Sequence, residues 1–225
     1  MTRVGFASCV PLFGLALAGA PAFAGEPLVP DLHAAARGHG ARPAAGVTLE
    51  WVDAADGKPA LRLQSAAEGG LVRLPGVELS DGSIDVDLLG RSAPPQGCFI
   101  GIAFRVTETG NDIVYFRPFN FRADDPQRRA HAVQYVSHPD WTWQRLRAER
   151  PGQYEQTIDP PPDGDHWFHA KIVVQKPTVS VYVNGADRPS LVVEELGERT
   201  GGGVALWVGP GLGGHVANLV IRPQP

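Results

Sequence analysis

Residues 82–90 read "GSIDVDLLG", and residues 98–106 read "CFIGIAFRV". Successive side chains of a β-strand point to opposite faces, so each stretch can be sorted by parity. In the first, Ile84, Val86 and Leu88 face one way and Asp85 and Asp87 the other. In the second, Ile100, Ile102 and Phe104 form the apolar face, and Gly101, Ala103 and Arg105 the opposite one. A third stretch, "IVYFRPFNF" at 113–121, sets Ile113, Tyr115, Arg117 and Phe119 against Val114, Phe116 and Pro118. Strands with one apolar and one polar face belong to antiparallel sheets that cover a core on one side.

The same alternation recurs on both sides of these segments. "VTLEWVD", "PALRLQS" and "GLVRLPG" precede them; "AVQYVS", "WFHAKIVVQ", "VSVYVNG", "SLVVEEL", "GVALWVG" and "HVANLVIRP" follow. Gly, Pro, Asn and Asp separate the segments, and the chain shows neither a long helical pattern nor a repeat of propeller or solenoid length. About a dozen short strands with such turns predict an all-β sandwich or barrel over residues 47–225. Residues 25–46, rich in Ala, Gly and Pro without periodicity, read as a loosely held leader. The stretch from about 121 to 165, broken only by "AVQYVS", is long enough for a compact domain to give it a function.

The first 24 residues read as a secretory signal: one basic residue, Arg3, then an apolar run and Ala22-Phe23-Ala24 before Gly25. The run is too short, and too broken by Pro11 and Gly14, to be a transmembrane span, and no later stretch is long enough. The expectation is an exported chain, periplasmic or extracellular, with no membrane insertion. Seventeen arginines against three lysines, with abundant Ala, Gly and Pro, suggest a GC-rich bacterial genome. A formal net charge of −4 argues against a nucleic-acid partner, which favours a basic face. Of the two cysteines, Cys9 falls in the signal, which leaves Cys98 without an intramolecular disulfide partner and expected as a small buried filler.

Short links join 82–90, 98–106 and 113–121, and a meander of the three would gather Asp85, Asp87, Arg105, Tyr115 and Arg117 on one side of one sheet. Such a face reads in two ways. Asp and Arg on neighbouring strands can simply pair across a solvated surface. Alternatively, an aromatic plane beside guanidinium forks is suited to sugar hydroxyls or a carboxylate. Pro118 removes a ladder donor and ends the strand near Arg117. The expectation is that Arg117 points into a groove rather than holding the sheet, so that its removal leaves the fold intact. Residues 131–156 add Gln134 and His138 on one parity, then Trp141 and Trp143. One of these tryptophans, Trp143, is expected as a groove wall and the other as packing.

Several of these phrases resemble the concanavalin A-like lectin/glucanase jelly roll over about residues 47–222: "DGSIDVDLLG" into "CFIGIAFRV", "HWFHAKIVV", "VSVYVNG", "GVALWVG" and "VANLVI". Within it they are most similar to exported bacterial domains of the 3-keto-disaccharide hydrolase and laminin G-like types. The resemblance implies two antiparallel sheets with an oligosaccharide or polysaccharide on the concave one, and a structural calcium whose ligands the sequence does not identify. It does not extend to the glucanase carboxylates. Where those enzymes carry Glu-x-Asp-x-x-Glu, this chain has Asp85-Val86-Asp87-Leu88-Leu89-Gly90. Glu108, Glu149 and Glu155 are the loop carboxylates that could substitute. His166 and His169 lack zinc-ligand spacing, and no metal site is assigned. Three functions stay open: a glycan-binding domain, a glycoside hydrolase of the 3-keto-disaccharide type, and a structural or protein-interaction sandwich. The glycan-site expectation comprises Asp85, Asp87, Arg105, Tyr115, Arg117, Gln134, His138 and Trp143.

Overall fold

The computed structural model describes residues 25–65, 68–92 and 97–224; the expected export signal lies outside them. The strands are β1 (Arg42–Pro43), β2 (Val47–Ala55), β3 (Lys58–Ser65), β4 (Gly70–Glu78), β5 (Gly82–Leu89), β6 (Ile100–Val106) and β7 (Asn111–Phe116). They continue as β8 (Val133–His138), β9 (Glu155–Gln156), β10 (Phe168–Gln175), β11 (Thr178–Val183), β12 (Leu191–Glu194), β13 (Gly203–Val208) and β14 (Gly214–Pro223). Among the described residues they form two antiparallel sheets of seven: β1-β4-β13-β6-β7-β8-β9 and β12-β11-β10-β5-β14-β3-β2.

The apolar parities read from the sequence meet between the sheets. Ile100, Ile102, Phe104, Val114 and Phe116 of the first sheet and Ile84, Val86, Leu88, Phe168, Ile172 and Val181 of the second are all fully buried in one core. Cys98 is buried there too, and burial pushes its thiol up to about 12, which keeps it protonated. The turn in "VYVNG" has a local cause. Asn184 (φ 51°) and Gly185 (φ 70°) both take the left-handed conformation of a tight hairpin, and the Asn184 side chain accepts from the His169 amide at 2.8 Å.

Three expectations need correction. Residues 25–46 are docked: Leu28 pairs with Ile221, and helix α1 (Leu32–Ala36), capped by Asp31, buries Leu32 and Ala35. Leucines spaced along an alanine-rich segment were enough to add it to the core. The 121–165 stretch carries α2 (Pro126–Arg129) and α3 (Trp143–Glu149) besides its strands. Helix α3 is composed of good helix formers, opens on a Thr142 cap and pairs Arg145 with Glu149 one turn on at 2.9 Å. Most consequential, β5 and β6 are not hairpin partners. The connection after Gly90 crosses from the second sheet to the first, and β5 pairs with β10 and β14 instead.

Candidate functional site

A single row of residues across the first sheet builds the floor of a cleft. Leu71, Trp207, Gly101, Tyr115, Gln134 and Glu155 stand in register on β4, β13, β6, β7, β8 and β9. Residues directly opposite one another share a face, so all six side-chain positions lie on the side of the sheet away from the core. Gly101 is required in this row. A Cβ there would come within 2.6 Å of the Tyr115 Cα, and its absence lets the Tyr115 and Trp207 rings meet with centroids 4.7 Å apart. Two residues before Gly101, Phe99 packs against Phe119 edge-on at 5.3 Å. Two residues after Tyr115, Arg117 reaches back over the Tyr115 ring, 4.8 Å from its centroid.

The cleft above this floor has a volume of about 600 Å³, and its lining includes Phe99, Tyr115, Arg117, Trp207, His131 and His138. Helix α3 supplies one wall. One turn apart on it, Trp143 and Arg147 both line the cleft, the Arg147 guanidinium lying 4.9 Å from the Trp143 ring centre. Trp143 is 41% exposed, whereas Trp141 packs against the core and under Arg145 and Arg150. Trp143 thus lines the cleft and Trp141 is packing.

Arg117 is both in the cleft and part of the fold. It is only 5% exposed. It donates to the His131 carbonyl at 2.9 Å, to the Tyr115 hydroxyl at 2.7 Å and to Gln134 Oε1 at 2.5 Å. The Tyr115 hydroxyl in turn donates to Gln134 Oε1 at 3.0 Å. Beneath this cluster lies the buried Glu155 carboxylate. Arg147 grips both its oxygens, with Nε 2.8 Å from Oε1 and Nη2 2.8 Å from Oε2. His131 Nδ1 is 2.8 Å and Arg117 Nη1 3.7 Å from Oε2. The expectation that Arg117 could be deleted without cost to the fold is therefore corrected: the side chain is buried and tied to three protein acceptors.

Burial lowers the pKa of His131, and the charges of Arg147 and Arg117 add to this against the pull of Glu155. Burial lowers His138 likewise. Both imidazoles are accordingly neutral near neutral pH. Burial raises the Tyr115 phenol, which stays protonated.

The structure brings together Tyr115, Arg117, Gln134, His138 and Trp143 from the expected set. It separates the other three. Asp85 and Asp87 are on the outer face of the second sheet, where His169 lies between them, Nδ1 2.9 Å from Asp87 and Nε2 3.3 Å from Asp85. Lys58 pairs with Asp87 at 2.7 Å and Arg222 with Asp85 at 2.6 Å. This is the cross-strand pairing of a solvated face. Arg105 shares the first sheet but not the cleft. Between Gly203↔Val106 and Ala205↔Ala103 the register shifts, and Arg105 takes φ 49°. This bulge turns it away from the face shared by Gly101 and Ala103. It is fully buried instead, paired with Glu195 and with Asp81 at 3.0 Å, and donating to the Ser80 and Arg199 carbonyls.

Phe99, Phe119, Trp207, His131, Arg128 and Arg147 also line the cleft and lie outside the expected set, although Arg147 follows Trp143 in the same 131–156 stretch. Parity carried the signal for Phe99, which shares the Gly101 face. Trp207 becomes visible only once β13 is known to neighbour β6. Among the described residues, no group of three or more His, Cys, Asp or Glu side chains is arranged to hold a metal ion, and no helix is long and apolar enough to cross a membrane.

No protein-family model matches the sequence, and no curated protein shows significant similarity to it. Solved structures do match. The carbohydrate-binding module CBM66 from Bacillus subtilis is 14% identical, with 78% of this chain and 95% of that one covered and a TM-score of 0.53. A Bacillus subtilis protein of unknown function with a galectin-like fold is also 14% identical, with 81% and 89% covered and a TM-score of 0.54. At such identities the likeness concerns architecture: the chain has the concanavalin A-like jelly-roll fold.

Proposed function

We propose that this chain is an exported carbohydrate-binding jelly roll, its export signal in residues 1–24, and that the cleft on the first sheet is the glycan site. The observation that carries this reading is the composition of that cleft. Phe99, Tyr115, Phe119, Trp143 and Trp207 line it together, and aromatic faces beside a few fixed polar groups suit the apolar and hydroxylated sides of a sugar ring. The volume of about 600 Å³ falls within the usual range for a small-ligand site. The carbohydrate-binding module among the structural neighbours supports the same reading.

Binding is favoured over cleavage by the carboxylates. Retaining or inverting hydrolysis needs two of them across the scissile bond. Among the described lining residues Glu68 alone is a carboxylate, and the nearby Glu155 is buried with both oxygens held by Arg147. The test is a glycan array followed by calorimetric titration, with a hydrolysis assay on oxidised disaccharides run beside it. Saturable glycan binding without turnover is expected. Turnover would favour the hydrolase alternative, and a protein that binds no glycan would leave the interaction-sandwich alternative.

A further inference from the structure

The cleft is unbalanced between donors and acceptors. The acceptors of its floor are occupied from within. Gln134 Oε1 takes Tyr115 and Arg117, the His131 carbonyl takes Arg117 and Asn120, and Asn120 Oδ1 takes Arg128. Glu155 takes Arg147 at both oxygens. Donors remain. Arg147 uses Nε and Nη2 on Glu155, and Arg128 uses Nε on Asn120 and Nη2 on the Phe119 carbonyl. Nη1 of each is left without an acceptor among the described residues. Gln134 is fully buried and its Nε2 has no partner there either. Arg117 can only donate, so the Gln134 amide oxygen must face it, and the orientation that leaves Nε2 unpaired is imposed by the neighbours. A buried donor without an acceptor costs about 1–3 kcal/mol.

The charge leans the same way. Arg117, Arg128 and Arg147 line the cleft with Glu68, and the Glu155 carboxylate beneath offsets Arg147 and Arg117, so that guanidiniums still outnumber carboxylates in a chain whose formal net charge is −4. Guanidinium donors left over above a floor whose own acceptors are occupied suit a ligand that brings acceptors and negative charge. Guanidinium forks match a planar carboxylate in two places at once. Resting on the glycan reading above, we infer that the cleft takes an anionic glycan, a uronic acid-containing oligosaccharide whose carboxylate sits among Arg117, Arg128 and Arg147.

The experiment is a titration of the full chain with a panel of uronate oligosaccharides (galacturonan, glucuronan and mannuronan fragments), each beside its carboxyl-reduced neutral form and a sulfated neutral counterpart. The expected result is that one uronate binds about tenfold or more tighter than its reduced form, with an affinity that falls as salt rises. Arg128 is exposed, so Arg128→Ala should keep the melting temperature while narrowing the gap between the two forms. Equal binding of the charged and reduced forms, or an unchanged gap in Arg128→Ala, overturns the inference and leaves the glycan reading in place. A sulfated oligosaccharide bound as tightly as the uronate overturns the carboxylate assignment. A protein that binds no member of the panel and no other glycan overturns both.

Discussion

The outer faces of the two sheets have similar ingredients and opposite designs. On the second sheet, Asp85, Asp87, His169, Lys58 and Arg222 form an ion network in which each charge meets its complement. The neighbouring β11 alternates strictly, with every second residue buried. On the first sheet every residue of β6 is buried, Gly101 lying beneath the Tyr115 and Trp207 rings of the neighbouring strands. There the charged groups stand beside aromatic rings, and donors outnumber acceptors. Burial makes the difference. Exposed ion pairs contribute little, about 0–1 kcal/mol, since water competes for both partners. A guanidinium held out of water is costly to leave unpaired and strong when paired. The solvated face can therefore tolerate change, and the covered face is where substitution should alter both fold and binding.

The largest expected effect is at Arg117. Arg117→Ala takes one of two donors from Gln134 Oε1 and from the His131 carbonyl, removes a cation from beside Glu155 and empties a buried site, and should cost about 3 kcal/mol of stability. Urea denaturation checks it; an unchanged midpoint would mean that the covered face is no more demanding than the solvated one. Gly101→Ala should follow at about 1–3 kcal/mol, the usual cost of overpacking, because its Cβ meets the Tyr115 backbone. It should also disturb the Tyr115–Trp207 contact, readable as a change in near-ultraviolet circular dichroism.

Trp143→Ala separates binding from folding on the same face. With 41% of its surface exposed, its loss should leave the melting temperature nearly unchanged. It should nonetheless weaken glycan binding by about 1–2 kcal/mol, on the scale of a lost aromatic contact in an interface. A stable variant with full affinity would remove the wall from the site.

The smallest effect concerns pH, and here the two faces should have opposite signs. Hydrogen bonding to Asp85 raises His169 above its ordinary 6.5, burial opposing and Asp87 assisting. Its contribution is fully present below 6.5 and is lost as pH rises through the folded value. Burial opposes, but the partners of Asp85 and Asp87 prevail and hold both below 3.8. Their contribution is present above that value and lost as pH falls through the folded one. The network is therefore strongest between 3.8 and 6.5. His131 and His138 behave in reverse: their pKa values are lowered by burial, and the covered face loses stability as pH falls below 6.5. His169→Gln should leave only that loss, visible as a steeper decline in stability from pH 7 to 5.5. The half-exposed position of His169 should keep the change to a few tenths of a kcal/mol. An unchanged pH profile would show that the network contributes nothing.

What the chain determines locally was readable from its order of residues. Alternation has a period of two, so each strand announces its own faces, and the core parities of β5, β6 and β7 were legible without neighbours. So was the end of β7 at the proline, and the pairing of Tyr115 with Arg117 on one face. Which faces become partners was decided only by the tertiary structure. A connection such as the one after Gly90 can return as a hairpin or cross to the opposite sheet, and the residues it joins look the same in either case. That choice placed Asp85 and Asp87 on the far face. The bulge at Arg105 is likewise invisible in sequence, because one extra residue against a distant strand reverses parity without leaving a local mark. The floor row from Trp207 to Glu155 joins segments up to 106 positions apart. Only the pairing of strands could bring it together.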